Sequence, residues 1–141
     1  NDFSDAAIDT IMAWLEKAPR QNPHWNLTFC FIESLGGAMG RVGKTDTAFY
    51  WRDQLFSFLF VGIYPMGVPG KKEEMAQWTE QFHAAMKPHF SSAVYVNYMQ
   101  ADLPNWQTAY YGENYPRLGK IKATYDPAHL FWFPQDVAQD G

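Results

Sequence analysis

The sequence predicts an α+β domain, an antiparallel sheet with helices packed on one face. Apolar spacing switches between helical and two-residue periods in the order helix, strand, strand, helix, strand, helix, a pattern that layers helices on a sheet. Hydrophobic residues make up 47% of the chain and charged ones 18%, the balance of a globular protein and not of a disordered one. The 141 residues are near the commonest size for a single domain, and no linker, repeat or low-complexity stretch divides them, so 1–141 reads as one domain.

The first helix is "SDAAIDTIMAWLEKAP". Ser4 is its N-cap, Asp5 favours the first turn, Ile8, Ile11, Met12 and Leu15 form the expected stripe, and Pro19 ends it. In "HWNLTFCFIES" Trp25, Leu27, Phe29 and Phe31 alternate with Asn26, Thr28 and Cys30, which predicts a strand stopped by Gly36-Gly37. Phe56 to Tyr64 is apolar on both faces and reads as a central strand. "GVPGKK" is a turn into a helix whose stripe is Met75, Trp78, Phe82, Ala85 and Met86, closed by Pro88. "SAVYVNYM" predicts a short third strand, Pro116 to Tyr125 a last helix, and "HLFWFPQDV" an extended tail.

Several function classes fall away. A net charge of −4 with scattered Lys and Arg argues against nucleic acid or an anionic membrane as partner. No apolar run approaches the ~18 residues of a membrane span. The histidines, His24, His83, His89 and His129, make no metal-binding spacing, so no metal site is expected. Lone Cys30 reads as a small apolar filler, and its presence leaves the compartment open. "GGAMGRVGKT" looks like a phosphate loop, but counting back from Gly43-Lys44-Thr45 places Ala38 where the loop requires glycine, and a strand follows instead of a helix. There is no starting Met and no signal peptide, and the chain reads as a mature or excised segment.

Two features point to chemistry. Glu33 ends the first strand in register with Phe29 and Phe31. Two readings stand: a partly buried carboxylate able to act as a general base, or a strand end already in solvent. In "YVNY", strand alternation puts Tyr95 and Asn97 on one side and Val96 and Tyr98 on the other. A buried phenol and amide there need partners, which either a ligand or the backbone can supply.

Tyr95 to Val137 resembles the C-terminal region of the berberine-bridge-enzyme-like FAD-linked oxidases, within the vanillyl-alcohol-oxidase flavoprotein group. The resemblance rests on Y-x-N-Y, a Trp before Tyr-Tyr-Gly-x-Asn, Arg-Leu-x-x-x-Lys, Tyr-Asp-Pro and Phe-x-x-Pro-Gln, in that order. Upstream, "LGGAMGRV" and "TAFYWRDQLFSF" look like the substrate-domain hairpin of bacterial members, making the glycines a turn between strands.

The resemblance implies the substrate-side portion of a longer flavoprotein, with the berberine-bridge-like segment at about 92–137 and the N-terminal FAD-binding domain absent. That domain carries the pyrophosphate loop and the residues that bond FAD covalently, so this portion alone is expected to be inactive and Cys30 is not a flavin-linking residue. Carried over, Tyr98 lies over the isoalloxazine ring and assists proton abstraction, Asn97 adjoins the flavin, and Glu33 falls where relatives place a tyrosine or an acid. Plant members place a glutamate base on the following strand. The matching position is near Phe58, which leaves Tyr98 and Glu33 to do the work. The implied reaction is oxidation of an alcohol, sugar hydroxyl or activated C–H of a small molecule, with hydride transfer to FAD and reoxidation by oxygen. Trp25, Phe29, Phe56 and Phe58 are candidates for the substrate face, or for a packed sheet core. The implied partner is the missing FAD-binding domain. Self-association as a homodimer, and a standalone α+β module binding a small hydrophobic ligand, are the alternatives, with a cofactor-free α+β barrel monooxygenase as a weaker third.

Overall fold

Helix α1, Asp5–Glu16, begins as its sequence requires: Ser4 is extended and its Oγ accepts the Ala7 N–H at 3.2 Å. The computed structural model describes residues 3–19 and 27–138. Trp25 and the start of the first expected strand lie outside them. Of the expected stripe, α1 turns Ile11 and Leu15 to the core but leaves Ile8 and Met12 outside it. Ala7 and Ile11 are buried and Trp14, Leu15 and Ala18 pack beside them, while Ile8 and Met12 stay 46% and 54% exposed. Turning the helix this way stacks Trp14 on Phe82, ring centroids 5.9 Å apart, and lets the Trp78 indole N–H donate to the Trp14 carbonyl at 3.2 Å. An indole covers more apolar surface than the Met12 thioether, and that larger burial sets the rotation.

Strands β1, Leu27–Ser34, and β2, Phe56–Ile63, pair antiparallel with Cys30 opposite Phe60 and Glu33 opposite Ser57. Helix α2, Lys71–Met86, buries Met75, Trp78, Phe82 and Met86, as its helical spacing predicts. Helices α1 and α2 cover the sheet face that carries Cys30, Phe58 and Phe60. Phe60 meets Phe82 at 4.6 Å, Phe58 meets Phe90 at 4.7 Å, and Phe3 stacks on Phe56 at 4.8 Å. Gly62 allows the close approach of α2, because a Cβ there would lie 3.0 Å from that of Met75. Strand alternation turns Phe29, Phe31, Glu33, Ser57, Leu59 and Val61 to the opposite face. The α+β architecture, a sheet with helices on one face, is as expected.

The expected third strand is not formed, and among the described residues the sheet has two strands. The backbone of "SAVYVNYM" is satisfied elsewhere: the Val94 N–H donates to the Ala109 carbonyl at 3.0 Å and the Tyr98 N–H closes a turn onto the Tyr95 carbonyl at 2.9 Å. A helix unread in the sequence, α3 at Trp106–Tyr111, supplies that first carbonyl. A 3-10 turn, Gly112–Asn114, joins it to α4, Tyr115–Tyr125. Between β1 and β2 the glycines do not make a tight hairpin turn. They open a long excursion in which Gly37 has φ +69° and Met39–Arg41 form a 3-10 turn.

The chain, read above as one domain, gathers into two compact units. One comprises Asn1–Ser34 with Leu55–Ser91 and the other Leu35–Gln54 with Ser92–Gly141. We call them the sheet unit and the motif unit.

Candidate active site

In the sheet unit, Glu33 is half-buried, between the two surroundings its sequence allowed. Ser57 stands directly across the ladder, and its hydroxyl donates to Glu33 Oε2 at 2.8 Å. Phe29 shares this face. Phe56 and Phe58 do not, since their rings turn to Phe3 and Phe90 on the helix-covered side. The β2 residue directly opposite Glu33 is therefore Ser57, and Phe58 lies on the other face. Sequence reasoning missed Ser57, although a signal was present: it is the sole hydroxyl in the apolar run of β2.

In the motif unit, the Tyr95–Tyr98 turn changes which side chains meet. The Tyr98 ring does not point away from Tyr95 but meets it edge to face at 5.3 Å, because a turn, unlike a strand, brings residues three apart together. Asn97 Nδ2 donates to the Tyr95 hydroxyl at 2.8 Å. Asn97 is exposed and Tyr98 half-buried, so the buried amide expected from a strand is instead held at the surface. Phe49 packs edge to face on Tyr95 at 5.9 Å, with the Arg52 guanidinium over its own ring.

The other motif residues build the support under this turn. Buried Tyr110 donates from its hydroxyl to Gln135 Oε1 at 3.1 Å and accepts the Gln100 N–H at 3.0 Å, while Gln135 Nε2 donates to the Gln100 carbonyl at 2.7 Å. Asn114 Nδ2 donates to the Lys44 and Thr47 carbonyls at 2.7 and 3.1 Å. Lys122 pairs with Asp126 at 2.7 Å and Asp136 at 2.9 Å and donates to the Phe131 carbonyl. These contacts, Asp126 first, hold the Lys122 ammonium above its usual pKa. Asp126 also accepts the Leu130 and Phe131 N–H groups, and with the Lys122 bond foremost its carboxyl is held below the usual range. Burial, then the nearby Asp136 charge, pushes the Tyr111 phenol up. Outside this support, Leu130, Phe131 and Trp132 are 79%, 77% and 68% exposed, an apolar run held out by the Lys122–Asp126 clamp.

The phosphate-loop look-alike is also accounted for. The Gly43 N–H is bonded to Asp46 Oδ2 at 3.0 Å and Lys44 Nζ to Asp53 at 2.8 Å, so the groups that would grip phosphate are engaged locally. Cys30 is inert: burial pushes its thiol up to about 11. Among the described residues no cluster of His, Cys, Asp and Glu could hold a metal ion, and no helix is long and apolar enough to cross a membrane.

The fold recurs as part of two larger solved structures. Over 99% of its length the chain superposes on Physcomitrella patens BBE-like 1 wild-type with a TM-score of 0.80 and 21% identity, spanning 28% of that chain. It superposes on a chitooligosaccharide oxidase with a TM-score of 0.78 and 20% identity over 96% of its length, 30% of that chain. In sequence it is 37% identical over 136 residues to YgaK, an uncharacterised FAD-linked oxidoreductase of Bacillus subtilis (strain 168), which covers 96% of this chain and 28% of that protein. Residues 94–138 match the family model described as berberine and berberine like. These likenesses are to FAD-linked oxidoreductases and berberine-bridge-enzyme-like proteins, and the chain spans little more than a quarter of the length of these relatives.

Proposed function

We propose that this chain is the substrate-side portion of an FAD-dependent oxidase that removes a hydride and a proton from a small molecule bearing an alcohol, a sugar hydroxyl or an activated C–H. The observation that carries the reading is the coincidence of the 94–138 family match with the Tyr95–Asn97–Tyr98 turn, a phenol pair and an amide at a partly open surface. This donor set suits the ring end of a flavin. It does not suit the pyrophosphate, since Gly43 and Lys44 are taken by Asp46 and Asp53. Asn97 and Tyr98 would adjoin the ring. FAD, when bound, supplies a two-electron acceptor that oxygen can reoxidise. Tyr98 takes the O–H proton as the C–H bond gives up its hydride. Glu33, in the sheet unit, is a separate candidate acid–base group.

The FAD-binding portion of the parent polypeptide is the partner that completes the site, and it covers the Leu130–Trp132 run. Relatives carry more than twice as much chain again as matches here, and an apolar run held outward by a buried ion cluster needs a cover. A second copy of the chain would show instead as a dimer of the full-length product in sedimentation. The reaction is tested with Tyr98→Phe in the full-length gene product. Single-turnover flavin reduction should slow by about 10²-fold, the scale of lost general-base help. Unchanged reduction would remove Tyr98 from the mechanism.

A further inference from the structure

We infer that Ser57 is a positioning residue for the Glu33 carboxylate, holding Oε2 so that Oε1 is presented to a substrate proton on the sheet face turned away from α1 and α2. The inference rests on the reading of Glu33 as an acid–base group given above. Its support is geometric. Ser57 lies opposite Glu33 in the ladder, and the 2.8 Å bond from its hydroxyl has the length of a well-formed O–H···O contact. Among the described residues no Lys or Arg pairs with Glu33, and Oε1 has no hydrogen-bond partner.

The choice of residue is informative. In β2 every other side chain is apolar, apart from Gly62, and a β-branched aliphatic at 57 would suit a strand better than serine does. A hydroxyl on this half-buried face costs desolvation unless it is bonded, and Glu33 is what it bonds. The return falls on the carboxylate. A glutamate side chain has three rotatable bonds and loses much of its freedom when ordered. With no cation to hold it, one hydrogen bond from a rigid strand selects its orientation. The serine proton stays on Ser57 throughout, and the substrate proton goes to Oε1.

The test uses the full-length gene product with Ser57→Ala, Ser57→Thr and Glu33→Gln. Ser57→Ala removes the hydroxyl that orients the carboxylate, so kcat should fall while KM holds. The fall should be about tenfold through lost orientation, and Ser57→Thr should restore it. Thermal unfolding without substrate gives a readout independent of turnover: Glu33→Gln should change Tm less in the Ser57→Ala background than in the wild type. A Ser57→Ala protein whose kcat is unchanged while Glu33→Gln loses activity overturns the positioning role and leaves the function standing. Failure of Ser57→Thr to rescue also overturns it. Wild-type turnover in Glu33→Gln sinks the acid–base reading of Glu33 and the positioning role with it, whereas the unfolding cycle would still report the contact.

Discussion

The two units hold themselves together by different means. The sheet unit is built round Ala7, Ile11, Met75, Trp78, Phe82 and Met86, all apolar and all buried. The motif unit buries Tyr110 and Ala109, but beside them Asn114, Asp126 and Gln135, each tied to named backbone or side-chain partners. An apolar core accepts many residue combinations of similar volume, whereas a buried amide or carboxylate accepts only the partner that satisfies it. That difference explains where the family signature sits. The Asn of Tyr-Tyr-Gly-x-Asn, the Lys of Arg-Leu-x-x-x-Lys, the Asp of Tyr-Asp-Pro and the Gln of Phe-x-x-Pro-Gln are all network members of the motif unit. The signature is mostly scaffold, and the proposed chemistry uses Asn97 and Tyr98 at its edge.

The comparison can be broken most forcefully at Gly112. Its φ of +53° is in the left-handed region, and a Cβ there would overlap the Tyr50 ring. Gly112→Ala should cost about 3 kcal/mol, combining backbone strain with overpacking. Limited proteolysis should show cuts in the motif unit before the sheet unit, and equal resistance of both to the wild type would refute the assignment. Asn114→Ala comes next. It leaves the Lys44 and Thr47 carbonyls without their donor, a loss of about 2 kcal/mol measurable by chemical unfolding. A loss within experimental error would mean that the buried amide is not what ties this excursion down.

The smallest effect belongs to the sheet unit, where His83 lies half-buried beside the aromatic core. Burial against the aromatic core, with its ring 5.8 Å from that of Phe60, lowers its pKa from 6.5, and the nearby Lys87 charge adds to this. The neutral form is thus favoured in the folded state. As pH falls below 6.5 the unfolded chain takes up the proton first, so this contribution is present above that value and is lost as pH falls through the lower folded one. Tm should drop more for the wild type than for His83→Gln between about pH 7 and pH 5. Parallel curves would show that the imidazole is as well solvated in the folded state as in the unfolded chain.

Legibility followed the same division. Helix α2 and its stripe were readable because Met75, Trp78, Phe82 and Met86 recur at helical spacing and nothing outranks them. Half of the α1 stripe, Ile11 and Leu15, is legible, whereas Ile8 and Met12 look as apolar as Trp14 until the Trp14–Phe82 stack is known. "SAVYVNYM" has the composition of a strand, but a strand needs a neighbour, and its donors found the Ala109 carbonyl and a local turn. Glu33 and Tyr98 were singled out by pattern. Ser57 stands out only as the one hydroxyl of an apolar run, a signal that acquires a role when Glu33 is found to face it.

By itself the sequence determined the α+β class, the Ser4 cap of α1, the stripe of α2, the berberine-like resemblance and the failure of Gly36–Thr45 to match a phosphate loop. Each rests on local spacing or on a string of residues close together in the chain. Tertiary structure alone decided the pairing of Glu33 with Ser57, the turning of Phe58 to the helices, and the closing of Tyr98 onto Tyr95. Those depend on which strand lies alongside which and on where a backbone donor finds its acceptor. Local propensity does not encode either, because competing partners of similar strength lie far apart along the chain.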